Sequence, residues 1–504
     1  MTDITNSKIS AGAKLSPAAW RLFMEHTDVV IIGAGGAGMM AALTLAKAGR
    51  SCVVLEKGKH LSVSNAARAG GPSLADTLLQ EEENCTVSAE MLFRHMYGFS
   101  RGTVDGGLLY RCIRNGRKVE ALLRESGIQL RLTEDLYSVG FRARHFFETP
   151  APQRWELLAK KLEEYGGRVV LNACAGELLT ENGRICGVLA VDGQSGEQTA
   201  YYGKAVIIAS GGYLGNEEML KQHFGDITVG PLGSRLSDGA GIAMALKAGG
   251  MEDRSWGICA GEFGGYHSRM KGRFPGNMRW AMTGGLLVDR EGRRFMDEQL
   301  LADQPLSVGG EVTLRAGSYY AVLDEAFYQG IRSARSVYDF YGRPEEWKTG
   351  KSALDRGPWP FPEDLERDIS EGWAFCCGSL EEAAAHFSLP FLEETVTRYN
   401  AMCEAGQDTE FGKNSWLLKP VAKAPFYVFA YEPSAWCTIG GVKTDAFCRV
   451  LDRKQKPISG LYAAGVDNGS CYCAPYYDTE GACLGLAFTS GITAAEHILG
   501  NWSA

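Results

Sequence analysis

The 504-residue chain predicts an α/β fold, and three observations carry the prediction. An apolar run, Val29 to Ile32, ends in the turn Gly33-Ala34-Gly35-Gly36-Ala37-Gly38 and opens into an Ala- and Leu-rich, helix-compatible segment. A second apolar run, Cys52 to Leu55, ends in Glu56. Far downstream the strand-and-glycine pattern returns in KAVIIASGG (204–212) and KPISGLYAAGVD (456–467). Strand, tight glycine turn and helix in that order make a Rossmann-like dinucleotide-binding unit, in which a pyrophosphate rests on the helix N-terminus.

The elements follow in chain order. Glu56, about 20 residues beyond the glycines, is placed to accept hydrogen bonds from a ribose 2′-hydroxyl and to repel a 2′-phosphate, so FAD or NAD(H) fits and NADP(H) does not. Residues 169–173, 177–180 and 185–191 alternate as strands, with a hairpin at Glu181-Asn182-Gly183-Arg184. KAVIIASGG ends in small residues, Ala209 to Gly212, which let a chain pass close to a cofactor. SDGAGIAMALKAGG (237–250) reads as a helix with Asp238 near its start and Gly249 closing it. Residues 251–435 mix Pro-, Gly- and aromatic-rich segments with helical stretches such as LEEAAAHFSL and FLEETVTRYNAMCEAG. The last helix begins near Gly481. The expected division is a polar lead-in over 1–25, a cofactor domain over 26–250 and 436–504, and an inserted α+β domain over 251–435.

A net charge of -8 and a pI near 5.7 argue against nucleic acid, whose binders carry a basic patch or stripe. No apolar stretch approaches the roughly 20 residues that span a bilayer. The N-terminal segment lacks the apolar core of a signal peptide, which points to a cytoplasmic protein. The 14 cysteines are scattered, with no framework spacing and no CxxC pair for zinc or an iron–sulfur cluster. They read as buried thiols. With no metal and no second redox centre expected, an external electron donor or acceptor is required.

The segments VVIIGAGGAGMMAAL, AVIIASGGY, DGAGIAMALKAGG, GGLLVDREGRRFMDE, TVTRYNAMCEAGQDTEFGK, TIGGVKTD and PISGLYAAG run in one order between residues 28 and 495. Together they resemble the flavoproteins of the fumarate reductase and 3-ketosteroid dehydrogenase superfamily, in which a flavocytochrome c-like flavin domain carries a capping domain. The resemblance implies FAD. Its contacts are then expected at Gly33, Gly35, Gly36, Ala37, Gly38, Glu56, Lys57, Ala175, Ala209, Ser210, Gly211, Asp238, Gly465, Asp467, Ala482 and Leu484. Where the family has Glu after YAAG, this chain has Val466 and then Asp467, so the ribityl contact is expected one residue later.

The substrate side departs from the fumarate type. The resemblance places that type's catalytic arginine on Ala302, its carboxylate-binding histidine on Cys437, its clamping arginine on Asp478, and its proton-relay glutamate and arginine on Met278 and Ala281. Two lost cations and one added anion cost several kcal/mol with a doubly charged substrate. Fumarate, succinate and urocanate are therefore excluded. The 3-ketosteroid branch pairs a tyrosine, four residues before the glycine that opens the last helix, with that glycine's N–H; here these are Tyr477 and Gly481. Tyr477 and Gly481 are the expected donors to a substrate ketone, with Tyr476, Asp478 as proton carrier and Cys437 beside them. The aromatics of the capping segment, Tyr338, Phe340, Tyr341, Trp359 and Phe361, are open to two readings, cover over an apolar substrate or ordinary core packing.

The resulting expectation is hydride transfer between FAD and an apolar ring compound, most simply reduction of a C=C bond conjugated to a ketone, steroid-like or polyphenol-like. Reductive dehydroxylation of a phenolic isoflavan, as in tetrahydrodaidzein reductases, stands beside it. So does a non-catalytic flavin electron carrier.

Overall fold

The computed structural model describes residues 22–133, 140–261, 264–268, 273–275, 277–343 and 359–502. Its central sheet is built from β1 (Val29–Ile32), β2 (Cys52–Leu55), β3 (Arg168–Val170), β4 (Ala205–Ile208), β5 (Arg449–Leu451) and β6 (Pro457–Ala463), in the order β5-β6-β4-β1-β2-β3. All neighbours are parallel except β5 and β6. Every residue of β1, β2 and β4 is buried, as expected of unbroken apolar strands covered on both faces. After β1 the chain moves first to β2 on one side and later to β4 on the other. The crevice between β1 and β4 is thus a topological switch point, where α/β sheets take their ligands.

Two apolar helices cover one face. Helix α1 (Gly36–Lys47) buries all but two of its residues, and α2 (Ala482–Gly500) packs along it. They meet at small residues: a Cβ on Gly491 would lie 2.1 Å from the Ala37 carbonyl oxygen. Contrary to the sequence expectation, α2 has the length and composition of a membrane-crossing helix, with 19 residues and a mean hydropathy of 1.3. Here 72% of that apolar window lies inside the protein.

The predicted hairpin is Ala173–Glu181 with Arg184–Asp192, in a second sheet with Gln198–Tyr202 and Leu22–His26. Leu22–His26 corrects the expected lead-in: it pairs parallel to Gln198–Tyr202. Residues 1–21 lie outside the described residues. Within 251–435, Leu286–Asp289, Tyr319–Asp324, Phe426–Tyr431 and Ala374–Cys377 form an antiparallel sheet. The RRFMDE motif serves that region's core. Arg294, fully buried, donates to Glu298 at 2.8 and 2.9 Å and to Asp408 at 2.9 and 2.8 Å, and Lys413 adds a contact to Glu298 at 3.2 Å.

Gly38 fixes how closely α1 approaches the turn after β1. A Cβ there would sit 1.9 Å from the Gly33 carbonyl oxygen, a backbone atom that cannot swing aside. Gly38→Ala should therefore destabilise the protein by at least about 2 kcal/mol through overpacking. Denaturant titration checks this; a wild-type midpoint would contradict the packing described.

Candidate functional site

The switch-point crevice widens into a cavity of about 450 Å³. Gly33 and Ala209 form its floor, and the backbones nearly touch: Gly33 adopts φ +101°, and a Cβ on it would lie 2.3 Å from the Ala209 carbonyl oxygen. Trp155, fully buried, donates its indole N–H to the Ala34 carbonyl at 2.7 Å and pins the turn from behind. Both α1 and α2 begin at glycines, Gly35 and Gly481, with no side-chain cap and no acidic residue in the first turn. Their first-turn residues Gly36, Ala37, Cys483 and Leu484 line the cavity. Two uncapped helix N-termini facing one space form a binding surface for anionic and electron-rich groups.

Glu56 lies at one end. Its carboxylate accepts from the Ala34 N–H at 2.9 Å and the Gly58 N–H at 2.7 Å, which fixes it across the mouth of the glycine turn. Lys57 and Asp238 form an ion pair at 2.7 Å on the same lining. Of the expected cofactor contacts, Gly33, Gly35, Gly36, Ala37, Glu56, Lys57, Ala175, Ala209, Ser210, Gly211, Asp238, Gly465 and Leu484 line the cavity. Gly38, Ala482 and Asp467 are absent from that lining, and each departure has a physical cause. Gly38 faces the turn, and Ala482 is 1% exposed within the protein. Asp467 turns onto the loop after β4, where its carboxylate accepts from the Ser210 N–H and hydroxyl, the Gly211 N–H at 3.0 Å and the Gly212 N–H at 2.9 Å. Val466 occupies the lining instead.

At the other end, three of the five expected substrate-side residues line the cavity and two do not. Tyr476 lines the cavity, and its hydroxyl oxygen accepts from the Cys483 N–H in the first turn of α2. Tyr477 does not line it: this buried phenol donates to the Cys471 carbonyl at 3.0 Å. Burial holds both phenols well above their ordinary pKa, so Tyr476 keeps its proton. Asp478 is also displaced, its carboxylate lying 2.8 Å from His95 Nε2 and outside the lining. Gly481 and Cys437 do line it. The Cys437 sulfur lies 3.4 Å from that of Cys483, and Cys259 faces Cys437 across an antiparallel strand pair.

Ala302, Ala281 and Met278 are buried in the core and contribute nothing to the lining. The capping aromatics are core as well. Phe340 packs on Phe327 at 4.8 Å, Tyr341 on Phe327 at 6.0 Å, Tyr338 on Trp416 at 5.4 Å, and Phe361 on Trp280 at 4.8 Å with Trp359 behind it. Sequence reasoning missed two lining segments, 63–71 and 232–237. Their signal was compositional: Ser64-Asn65-Ala66 with Gly70-Gly71, and Gly233-Ser234, are small residues with no periodicity. It also missed Arg144 and Glu480, an ion pair on the lining whose side chains are 16% and 9% exposed.

The glycine floor, the fixed Glu56 and the helix N-termini fit an adenine dinucleotide. Gly35→Val tests that fit apart from the fold. Gly35 has φ -73° and ψ -173°, open to valine, and a Cβ there would meet only Ser64 and Ala209 atoms at 3.9 and 4.0 Å. The variant should match the wild-type apoprotein in stability to within about 1 kcal/mol, yet purify without flavin because its side chain fills the pyrophosphate's space. Retained FAD would contradict the assignment.

Comparison with known proteins bears on the fold and the cofactor. The vinyl phenol reductase of Lactiplantibacillus plantarum is 27% identical, the match covering 94% of this chain and 96% of that protein. A 3-ketosteroid Δ1-dehydrogenase from Sterolibacterium denitrificans superposes with a TM-score of 0.70 at 17% identity, covering 94% of this chain and all of that one. A flavocytochrome c3 fumarate reductase does so with a TM-score of 0.68 at 21% identity, covering 94% and 79%. The FAD binding domain family matches residues 28–484. The chain accordingly belongs to that family, and it is an FAD-dependent oxidoreductase.

Proposed function

We propose that the protein reduces a C=C bond in a largely apolar ring compound, conjugated to a ring ketone or a phenol. The observation that carries this reading is Tyr476, a neutral phenol aimed at the cavity beside the α2 N-terminus. The Cys483 N–H occupies one lone pair of its oxygen, which leaves the hydroxyl proton available to the cavity. A ketone oxygen that turns enolate-like as hydride reaches the β-carbon can take that hydrogen bond. In a vinylphenol the terminal alkene carbon takes a proton as the phenol loses its own, and the oxygen of the resulting quinone methide gains the charge when hydride reaches the benzylic carbon. Such a donor is worth about 3 kcal/mol in the transition state. Reduced FAD held against the glycine turns would supply the hydride, and solvent the proton that completes saturation of the bond. Tyr476 thus takes the role that the sequence pattern assigned to Tyr477.

Of the three positions that the resemblance equates with a dicarboxylate clamp, Ala302, Cys437 and Asp478, only Cys437 lines the cavity, and none carries a cation. The relative named for vinyl phenol supports an aromatic alkene as one substrate class. The hydroxyl-elimination alternative places its acid on Asp478, and the pairing of that carboxylate with His95 weakens it. In the same reading residues 251–435 cap the substrate, residues 26–250 and 436–504 hold FAD, and an external donor supplies electrons.

Anaerobic turnover with reduced methyl viologen tests the proposal on a ring enone, 4-vinylphenol, an isoflavan and fumarate. One or both conjugated ring alkenes should be reduced, and fumarate should give no signal above background. Tyr476→Phe should lower the rate roughly 10²- to 10³-fold while FAD stays bound. Tyr477→Phe should leave the rate within about threefold and cost about 1 kcal/mol of stability, the value of its lost hydrogen bond. Turnover of fumarate at enzymatic rates, or an unchanged Tyr476→Phe, would overturn the reading.

A further inference from the structure

We infer that the Arg144–Glu480 ion pair recognises an uncharged hydroxyl group on the substrate ring. The inference rests on the proposed reading of the cavity as the seat of an apolar ring compound. Arg144 precedes the strand His145–Phe147, and Glu480 immediately precedes Gly481, the glycine that opens α2. Both line the cavity where Gly70, Gly71 and Gly481 converge. That convergence is tight: a Cβ on Gly70 would lie 2.3 Å from Arg144 Nη2, and one on Gly481 would lie 2.6 Å from the Gly71 carbonyl oxygen. Gly70 therefore leaves the space that the guanidinium fills. Backbone contacts hold Arg144 in place, with the Thr133 N–H donating to its carbonyl at 3.1 Å and a bridge to Ser73.

A guanidinium only donates hydrogen bonds and an ionised carboxylate only accepts them. Side by side they match a hydroxyl, which does both. The pair is neutral in sum, so a substrate carboxylate meets Glu480 as a like charge, and a cation meets Arg144 in the same way. A methyl ether in place of the hydroxyl gives Glu480 nothing to accept. Sites built around a substrate hydroxyl reject analogues that lack it far more strongly than apolar pockets reject a missing methylene. Lys57 and Asp238, the other ion pair on the lining, accompany Glu56 at the nucleotide end and are not part of this site.

The test is a titration of the oxidised holoenzyme with 4-ethylphenol, 4-ethylanisole and 4-ethylbenzoate, followed by the flavin absorbance. The phenol should bind at least about tenfold tighter than the anisole, as expected of a hydrogen bond to a charged group, and the benzoate most weakly. The double substitution Arg144→Met/Glu480→Leu removes both charges together; the phenol preference should fall below about threefold, with anisole affinity kept. Equal binding of phenol and anisole by the wild-type protein overturns the inference and leaves the substrate class standing. A preserved preference in the double variant also overturns it. So does an unchanged preference with a shifted flavin midpoint potential, which assigns the pair to the cofactor. If neither neutral ring perturbs the flavin, the substrate class fails together with the inference.

Discussion

The rest of the site depends on the buried carboxylate of Asp467. It gathers the Ser210, Gly211 and Gly212 amides and the Ser210 hydroxyl, while its own carbonyl accepts from the Val442 N–H at 2.9 Å. One fully buried residue thereby ties the loop after β4 to the chain entering from residue 441 and to the segment after β6. A buried carboxylate is tolerated only when donors surround it, and here backbone amides supply most of them. The crossing of Gly33 over Ala209 follows from the placement of that loop. So does the shape of the cavity floor.

This arrangement explains why the acid stands one residue later than the family pattern. An acidic group at 466 would face the cavity. Val466 faces it instead, and Asp467 has become part of the scaffold. A similar exchange of positions occurs between two tyrosines, where Tyr476 faces the cavity and Tyr477 is built into the core.

Much of the cofactor half was legible in the sequence because its signals are local. Val29–Ile32 and Cys52–Leu55 were predicted to the residue, since buried parallel strands are continuous apolar runs bounded by turns. The start of α2 at Gly481 was legible for the same reason. The substrate half was not. Tyr476 and Tyr477 are adjacent in a loop without periodicity, and only packing on α2 decides which one faces inward. Phe340, Tyr341 and Phe361 are aromatic whether they cover a ligand or a core, and composition does not separate the two. Arg144 and Glu480 are 336 residues apart and meet only in three dimensions. The edge strand Leu22–His26 is too short and too mixed to announce itself.

The central claim is that this cavity delivers hydride to a conjugated ring alkene and not to a dicarboxylate. A single-turnover experiment tests it most directly: photoreduced holoenzyme is mixed anaerobically with one equivalent of 4-vinylphenol, of a ring enone, or of fumarate, and flavin oxidation and products are both quantified. The account predicts one equivalent of reduced ring product per flavin oxidised from one or both ring alkenes, and no oxidation by fumarate. Stoichiometric succinate from fumarate, with both ring alkenes returned unchanged, would contradict it.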